Sequence, residues 1–255
     1  TYYEKDGQIY QNHEEGKARK LATLNTFFGY FHKKEMIQKN APSVVDVPRV
    51  KEKNIIRLDA NEVAQLIDNI ESGEKLTKQQ KVWHERNKAR DLAIVVTLLG
   101  TGVRVTELVG LDLSDLDFDN GAMRVIRKGG NEDIVYFGEE TEEMLRNYLD
   151  ERMKMTPAPG HENALFISQN NTRITVRSVE RLVKKYASTA TVKKITPHKL
   201  RSTYGTALYQ ETGDIYLVAD VLGHKNVNTT RKHYAAMKEE NKRKAANIVQ
   251  LREKE

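Results

Sequence analysis

Three short runs of alternating apolar and polar residues lie in the middle of a chain whose other periodic segments are helical. The runs cover 115–118, 122–126 and 134–137, and the dipeptides Asn120-Gly121 and Gly129-Gly130 separate them. Such dipeptides favour the tight turns of antiparallel hairpins, because glycine accepts positive φ angles at low cost. The sequence therefore predicts one small antiparallel three-stranded sheet in a mainly α-helical (α+β) fold.

Helical periodicity accounts for most of the remaining apolar pattern. Asp59 is a candidate cap for a short helix that continues through Ile70. A long helix over 78–99 becomes more apolar toward its end, where we expect Gly100 and Gly102 to break it. Further helices, separated only by short turns after the sheet, are expected over 103–109, 140–154, 175–187, 198–211, 214–221 and 238–255.

The pattern of segments predicts four regions. Residues 1–40 form an incomplete helical unit, since the single amphipathic helix expected over 17–38 cannot bury its own apolar face, and we expect the chain to begin partway through a longer protein. Residues 41–56 contain two prolines and no periodicity, which is typical of a linker. Residues 57–237 form the compact domain, and 238–255 form a helical tail.

Composition excludes several classes of protein. The chain has no cysteine, which excludes disulfide scaffolds, Cys-ligated zinc, iron–sulfur clusters and thiol nucleophiles. The longest mostly apolar run, 92–102, is too short for a membrane span, and the N-terminus lacks the pattern of a signal peptide. We therefore expect a cytoplasmic protein with no membrane partner. The 42 Lys and Arg against 36 Asp and Glu give a net charge of +6, which permits an anionic partner.

Familiar cofactor and metal motifs are incomplete. The segment 115–121 resembles the start of a calcium loop, but its glycine is one position late and Ile126 stands where a bidentate Glu is needed. Gly100-Thr101-Gly102 lacks the further residues of a nucleotide-binding loop, and His13-Glu14-Glu15 lacks a second histidine. We expect no metal and no cofactor.

Cationic and imidazole residues stand in unusual local positions. Arg104 follows a glycine break at the start of a helix, where a bound anion would favour it; the alternative is a surface arginine paired with Glu107. His198 and Arg201 lie three residues apart at the start of another helix, so both project from one face. His224 follows a glycine that ends a helix. Each position considered alone is ordinary.

Together these residues resemble the tyrosine recombinase family, of the phage-integrase type. The likeness rests on Arg104 in an Arg-x-x-Glu-Leu context, His198-x-x-Arg201, Leu-Gly-His224, and Tyr234 ten residues further on. Lys128 falls on the hairpin turn where that family keeps a catalytic lysine. The sequence departs from the family's common Gly-Lys-Gly, because an arginine precedes this lysine and two glycines follow it.

The resemblance implies metal-free transesterification at a DNA phosphodiester. The implied catalytic residues are Arg104, Lys128, His198, Arg201, His224 and Tyr234. The two arginines would bind the phosphate oxygens, and the tyrosine would attack to form a 3′-phosphotyrosyl intermediate. His198 is the candidate proton acceptor, His224 a candidate donor to the phosphate, and the lysine a general acid for the departing 5′-oxygen. Glu107 would orient its neighbours.

The resemblance also implies partners and a biological setting. We expect double-stranded DNA, a homotetramer in the synaptic complex with the tail 238–255 docked on a neighbouring protomer, and an accessory DNA-bending or excision factor. The Lys- and Asn-rich composition favours the integrase of a mobile element, associated with a bacterial nucleoid. The alternatives are a chromosome-dimer resolvase of the same family, a nicking-closing enzyme like the type IB topoisomerases, and a DNA-binding module without catalysis.

Overall fold

A computed structural model describes residues 2–49, 56–224 and 227 of the chain. The chain divides into two units, Thr1–Asn54 and Ile55–Glu255. The boundary between them falls within the segment 41–56 that the sequence predicts to be a linker. The full division into four regions stays a prediction, because the tail 238–255 lies outside the described residues.

The first unit begins with a β-hairpin that the sequence pattern did not predict. Strand β1, Tyr2–Lys5, pairs antiparallel with β2, Gln8–Gln11. Asp6 and Gly7 turn the chain with φ angles of 54° and 73°, as a two-residue hairpin turn requires. Tyr3 and Tyr10 stack across the strands with their ring centroids 5.2 Å apart.

Helix α1, Glu14–Lys33, follows the hairpin, and a 3₁₀ turn covers Ala41–Val44. The predicted helix over 17–38 therefore exists, but it begins three residues earlier and ends five residues earlier. Leu21 is the buried side chain of α1, whereas Leu24 and Phe27 are about half exposed, at 47% and 57%. This face has the incomplete burial that the sequence pattern predicts.

The described part of the second unit, 56–224, holds the predicted sheet and the helices predicted over that range. Its described elements are α2 (Ala60–Ser72), α3 (Lys78–Thr101), α4 (Val105–Gly110), β3 (Leu116–Asp117), β4 (Ala122–Ile126), β5 (Glu132–Tyr136), α5 (Glu139–Arg152), α6 (Val176–Ala190), α7 (Pro197–Thr212) and α8 (Ile215–Val221). The fold is mainly helical with one small sheet, as predicted. Among the described residues, no helix is long and apolar enough to cross a membrane.

Helix α3 is the central element of the core. A capping box at Thr77 and Gln80 starts it, and its second half is buried against α2, α5 and α7. Gly102, with φ of 64°, ends it. The prediction that Gly100 also breaks the helix is wrong, because Gly100 lies inside α3. A Cβ there would lie 2.3 Å from the Thr141 hydroxyl, so the glycine allows α5 to pack closely.

The sheet has the order β3-β4-β5 and is antiparallel throughout, as predicted. Strand β4 has its predicted bounds. Strand β5 begins at Glu132 rather than Ile134, because the Arg127 N–H donates to the Asn131 carbonyl at 2.7 Å and extends the pairing of the hairpin. The turn after this closure carries Lys128.

The segment 153–175 between α5 and α6 is irregular, so the prediction of helices separated only by short turns is wrong here. Isolated bridges join Asp112 to Ala164 and Ile167 to Arg173. Arg152, only 3% exposed, donates from its guanidinium to the carbonyl oxygens of Glu162 and Ala164. A buried arginine thus satisfies loop carbonyls that would otherwise lack partners.

Glu62 gives the fold a pH-dependent contribution to stability. Its carboxylate accepts hydrogen bonds from the Lys193 ammonium at 2.5 Å, the Thr191 hydroxyl at 2.6 Å and the Asp59 N–H at 2.9 Å. Partial burial raises its pKa, but the contacts with Lys193 and Thr191 outweigh this and lower the pKa from 4.5 to about 2. The ionised form therefore stabilises the fold above pH 4.5, and this contribution declines as the pH falls toward 2.

We expect Glu62→Gln to lower the urea midpoint at pH 7, and we expect the difference from the parent to narrow steadily below pH 4.5. Urea titrations at a series of pH values measure this gap. Glu71→Gln, an exposed position on the same helix, is the control and should shift the midpoint little at any pH. A gap that stays constant down to pH 3 would contradict the assignment.

Candidate active site

Three arginines converge on the C-terminal end of helix α8. The carbonyl oxygens of Val221, Leu222 and Gly223 each accept a hydrogen bond from a different arginine: Arg127, Arg201 and Arg104, in that order. These carbonyls have no partner inside the helix, and they lie at the negative end of its dipole. The guanidinium groups satisfy them. We call Arg104, Arg127 and Arg201 the arginine cluster.

Arg201 is the most buried member of the cluster, at 4% exposed. It lies in the second turn of α7, which begins with Pro197 at a position where the missing N–H costs nothing. Its guanidinium donates to the Gly102 carbonyl at the end of α3 and to the Leu222 carbonyl after α8. Arg201 therefore ties together the ends of two helices.

Arg104 is the N-cap residue of α4, at the helix start that the sequence predicts. Its backbone N–H and its Nη1 donate to the two carboxylate oxygens of Glu107, at 2.8 and 2.7 Å. The Nη2 donates to the Gly223 carbonyl at 3.1 Å. The pairing with Glu107 that the alternative interpretation predicts is present. Arg104 also contacts the turn that carries His224. These two side-chain contacts use two of the five N–H donors of the guanidinium.

Glu107 is the buried carboxylate of the cluster, at 5% exposed. It also accepts from Arg127 Nη1 at 3.0 Å, so it joins two of the three arginines. Burial raises its pKa, but the hydrogen bonds from Arg104 and the charge of Arg127 outweigh burial and hold the pKa below its ordinary value. The carboxylate is therefore ionised at neutral pH and orients both guanidinium groups, as the sequence predicts.

His224 lies on the turn that closes α8. The Gly223 N–H donates to the Asp220 carbonyl at 2.7 Å and the His224 N–H to the Ala219 carbonyl at 2.9 Å, which is the Schellman pattern with Gly223 in the left-handed region. The prediction that Gly223 ends the helix and that His224 follows on the turn is thus correct. The same turn supplies carbonyls to the arginine cluster. His224 directly follows Gly223, whose carbonyl accepts from Arg104.

Gly102 allows α7 and the turn after α8 to approach the end of α3. Its φ of 64° is in the left-handed region, and a Cβ there would lie 2.4 Å from the Tyr204 ring and 2.9 Å from Leu222 Cδ2. A side chain at this position would displace the elements that carry Arg201 and Leu222. The position of the arginine cluster therefore depends on this glycine.

Lys128 is exposed on the turn between β4 and β5, where the sequence predicts it. The preceding residue, Arg127, is the member of the cluster that sequence reasoning missed. Besides Glu107 and the Val221 carbonyl, at 3.4 Å, it contacts Asp133 Oδ2 at 2.9 Å through its Nε. The available signal in the sequence was that Arg127 stands where the family commonly has the first glycine of Gly-Lys-Gly.

His198 is exposed in the first turn of α7, and its carbonyl accepts from the Ser202 hydroxyl at 3.0 Å. One helical turn separates it from Arg201. The structure therefore brings Arg104, Arg201 and the turn of His224 into one hydrogen-bonded group, with His198 on the helix of Arg201. Tyr234 lies outside the described residues.

The electrostatic character of the site is cationic. The three arginines and their two carboxylate partners, Glu107 and Asp133, have formal charges that sum to +1. Within residues 2–49 and 56–224, no group of three or more His, Asp or Glu side chains is placed to hold a metal ion. Guanidinium groups that are fixed by carbonyls suit the binding of a phosphate group.

The model of the phage integrase family matches residues 56–241, which include the arginine cluster and Tyr234. The chain belongs to this family. It is a tyrosine site-specific recombinase, as the resemblance in the sequence implies.

Recombinases from several bacteria are similar to it. The tyrosine recombinase XerC of Corynebacterium glutamicum is 33% identical over 223 residues, which cover 86% of this chain and 68% of that protein. XerS of Streptococcus agalactiae is 39% identical over 184 residues, or 71% of this chain and 51% of that protein. A crystal structure of the XerH recombinase bound to its palindromic difH substrate shares the fold, with a TM-score of 0.71 at 22% identity, over 92% of this chain and 67% of that one.

Proposed function

We propose that this recombinase breaks and rejoins DNA by metal-free transesterification through a 3′-phosphotyrosyl intermediate. The observation that carries the proposal is the convergence of Arg104 and Arg201 on consecutive carbonyls of the turn that holds His224. Arg104 at the start of α4 and Arg201 on α7 thereby meet at the turn after α8, which also carries His224. A phosphodiester is the substrate that this combination suits.

The arginines can do the electrostatic work of the reaction. Both stay charged at any relevant pH, and their planar donor sets match the non-bridging oxygens of a phosphate. Because Arg201 is buried and Arg104 is about two-thirds buried, charge that develops on the phosphate is stabilised by donors that need no reorganisation. In this proposal the two guanidinium groups supply the charge stabilisation, so the step requires no metal ion.

The remaining residues supply the nucleophile, the proton transfers and a further hydrogen bond to the phosphate. The Tyr234 oxygen forms a bond to phosphorus while the bond from phosphorus to the 5′-oxygen breaks. His198 accepts the tyrosine proton, and Lys128 donates a proton to the departing 5′-oxygen. His224 donates a hydrogen bond to the phosphate. Rejoining reverses these transfers, with a 5′-hydroxyl as the attacking group.

Trapping of the covalent intermediate tests the mechanism. The full chain is incubated with a library of nicked random-sequence duplexes, from which the short 5′-hydroxyl fragment escapes after cleavage. We expect a protein–DNA adduct that survives detergent, with DNA attached to the peptide that contains Tyr234. Tyr234→Phe should form no adduct, whereas Tyr216→Phe, which changes an exposed tyrosine of α8, should form it normally. An adduct on any other residue would contradict the assignment.

We propose double-stranded DNA as the partner and a homotetramer as the form that recombines it. The DNA-bound structure of the similarly folded XerH supports the first part. The linker residues Arg49, Lys51 and Lys53 would lie near DNA phosphates in this proposal, and Arg49 is exposed. Lys51, Lys53 and the tail 238–255, which we expect to dock on a neighbouring protomer, lie outside the described residues. An accessory DNA-bending or excision factor belongs to the same proposal.

The biological setting has two candidates. The Lys- and Asn-rich composition favours integration and excision of a mobile element, which we propose. The similarity to recombinases named XerC and XerS favours the alternative, a chromosome-dimer resolvase that joins two copies of the same site. Plasmids with two sites recovered from the trapping experiment, either identical or non-identical, separate these roles. Recombination of the identical pair indicates a resolvase, and recombination of the non-identical pair indicates an integrase. Relaxation of a supercoiled plasmid without any site would instead indicate a topoisomerase.

A further inference from the structure

Arg127 contacts three of the elements that form the site. Its guanidinium donates to Glu107 on α4, to Asp133 on β5 and to the Val221 carbonyl at the end of α8. Its side chain is 11% exposed. A Cβ on Gly223 would lie 2.8 Å from the guanidinium carbon, so this group packs directly on the turn that precedes His224.

The backbone of Arg127 closes the turn that presents Lys128. Its N–H donates to the Asn131 carbonyl at 2.7 Å, and its carbonyl accepts from the Gly130 N–H at 3.1 Å. The next two residues after the lysine, Gly129 and Gly130, have φ angles of 98° and 82°, and a Cβ on either would meet open space. Neither glycine packs against the rest of the protein, and glycine backbone has the greatest conformational freedom. The contacts of Arg127 are therefore the ones that anchor this turn.

We propose that Arg127 is a positioning residue for Lys128. It fixes the base of the hairpin turn on Glu107 and on the end of α8, so that the exposed lysine of the next position reaches the 5′-oxygen of the phosphate held by Arg104 and Arg201. This proposal rests on the proposed role of Lys128 as the general acid. In this proposal Arg127 acts through the turn and not through contact with the phosphate or the 5′-oxygen.

Arg124, on strand β4 just before Arg127, provides a matched control. It lies three residues earlier, is 47% exposed, and pairs with Asp115 and Glu132 rather than with any part of the arginine cluster. Arg124→Ala removes the same charge from β4 and leaves the contacts of Arg127 in place. A general effect of charge on DNA binding would therefore appear in both variants, and a positioning effect only in Arg127→Ala.

The test measures single-turnover cleavage of a suicide duplex that carries the trapped site, with an ordinary or a bridging 5′-thio phosphodiester. A thiolate leaves without a proton, so the thio duplex does not need the general acid. We expect Arg127→Ala to slow cleavage of ordinary DNA by about tenfold to a hundredfold, the size expected for a misplaced catalytic group. Most of that loss should vanish on the thio duplex, and Arg127→Ala should add little when Lys128→Ala is already present.

Arg127→Lys covers the case in which the alanine variant does not fold. Lysine keeps the charge beside Glu107 but cannot make the forked contacts of a guanidinium, so we expect a smaller loss with the same recovery on the thio duplex. Arg124→Ala should cleave both duplexes like the parent. Circular dichroism melts identify any variant that is unfolded at the assay temperature.

The outcomes separate this inference from the mechanism on which it rests. If Lys128→Ala recovers on the thio duplex but the Arg127 variants do not, Arg127 acts through Glu107 or the turn after α8, and the positioning role is wrong. The positioning role is equally wrong if Arg127→Ala causes a full additional loss in the Lys128→Ala background, or causes no loss on ordinary DNA. If Lys128→Ala itself does not recover, the acid role of Lys128 fails and the inference fails with it.

Discussion

We expect Lys128→Ala to cleave ordinary DNA about 10²–10⁴-fold more slowly than the parent chain, which is the usual contribution of one general acid. On DNA with a bridging 5′-thio phosphodiester, most of that loss should disappear, because the thiolate departs without a proton. Lys128 is exposed on a glycine-rich turn directly after Arg127 of the arginine cluster, which supports this expectation. Single-turnover cleavage with both duplexes measures the effect.

Other variants show whether the recovery is specific to the leaving group. Tyr234→Phe keeps the aromatic ring but lacks the attacking oxygen, so it should be inactive on both duplexes. Arg104→Ala and Arg201→Ala should stay impaired on both, because their role concerns the charge of the phosphate. If Lys128→Ala gained nothing from the thio substitution, the lysine would be a phosphate contact, and His198 or His224 would be the next candidate for the acid.

Several elements of the second unit follow from local signals in the sequence. Asp59 caps α2 as predicted, with its carboxylate accepting from the Glu62 N–H at 2.9 Å. Strand β4 has its predicted bounds, because the turn dipeptides on both sides fix where the chain reverses. These features depend on residues within a few positions of one another, so a single sequence is enough to predict them.

The N-terminal hairpin was missed for a physical reason. Every residue of β1 and β2 is exposed, so neither strand has the alternation of buried and exposed residues on which strand prediction depends. Asp6-Gly7 is a hairpin dipeptide and was the available signal. The irregular segment 153–175 was missed because its partner, the buried Arg152, has no local signature.

The candidate site also has residues that local sequence could predict and contacts that it could not. The positions of Arg104 at a helix start and of His224 after a helix end were predictable, since caps and glycine breaks are local. The contacts of Arg127 were not, because Glu107 lies 20 residues away and Val221 lies 94 residues away. Only the folded chain shows that one arginine joins the hairpin to the end of α8. Distant partners of buried charges are the part of a site that sequence patterns do not contain.

Asp91 is another buried charge with partners that are distant in the sequence. It is 2% exposed in the middle of α3, and one carboxylate oxygen accepts from Arg90 Nη2 at 2.7 Å and from Arg90 Nε at 3.1 Å. The other oxygen accepts from the Tyr186 hydroxyl at 3.0 Å and from the Lys185 ammonium at 3.3 Å. Burial lowers the pKa of Lys185 and raises the pKa of Tyr186, so both groups lie in a poorly solvated place.

Asp91→Ala should therefore lower the free energy of unfolding by about 3–5 kcal/mol, the usual effect of removing one partner from a buried ion pair. Arg90, only 8% exposed, would keep its charge but lose the carboxylate that balances it. Urea titration at neutral pH measures the loss, with Asp68→Ala at an exposed position of α2 as the control. Asp91→Asn, which keeps the shape and one acceptor, should lose less.

Because the cost comes from an uncompensated charge, Arg90→Met combined with Asp91→Ala should destabilise the fold by less than the sum of the two single changes. Additive losses would instead mean that the contribution of Asp91 does not come from its pairing with Arg90.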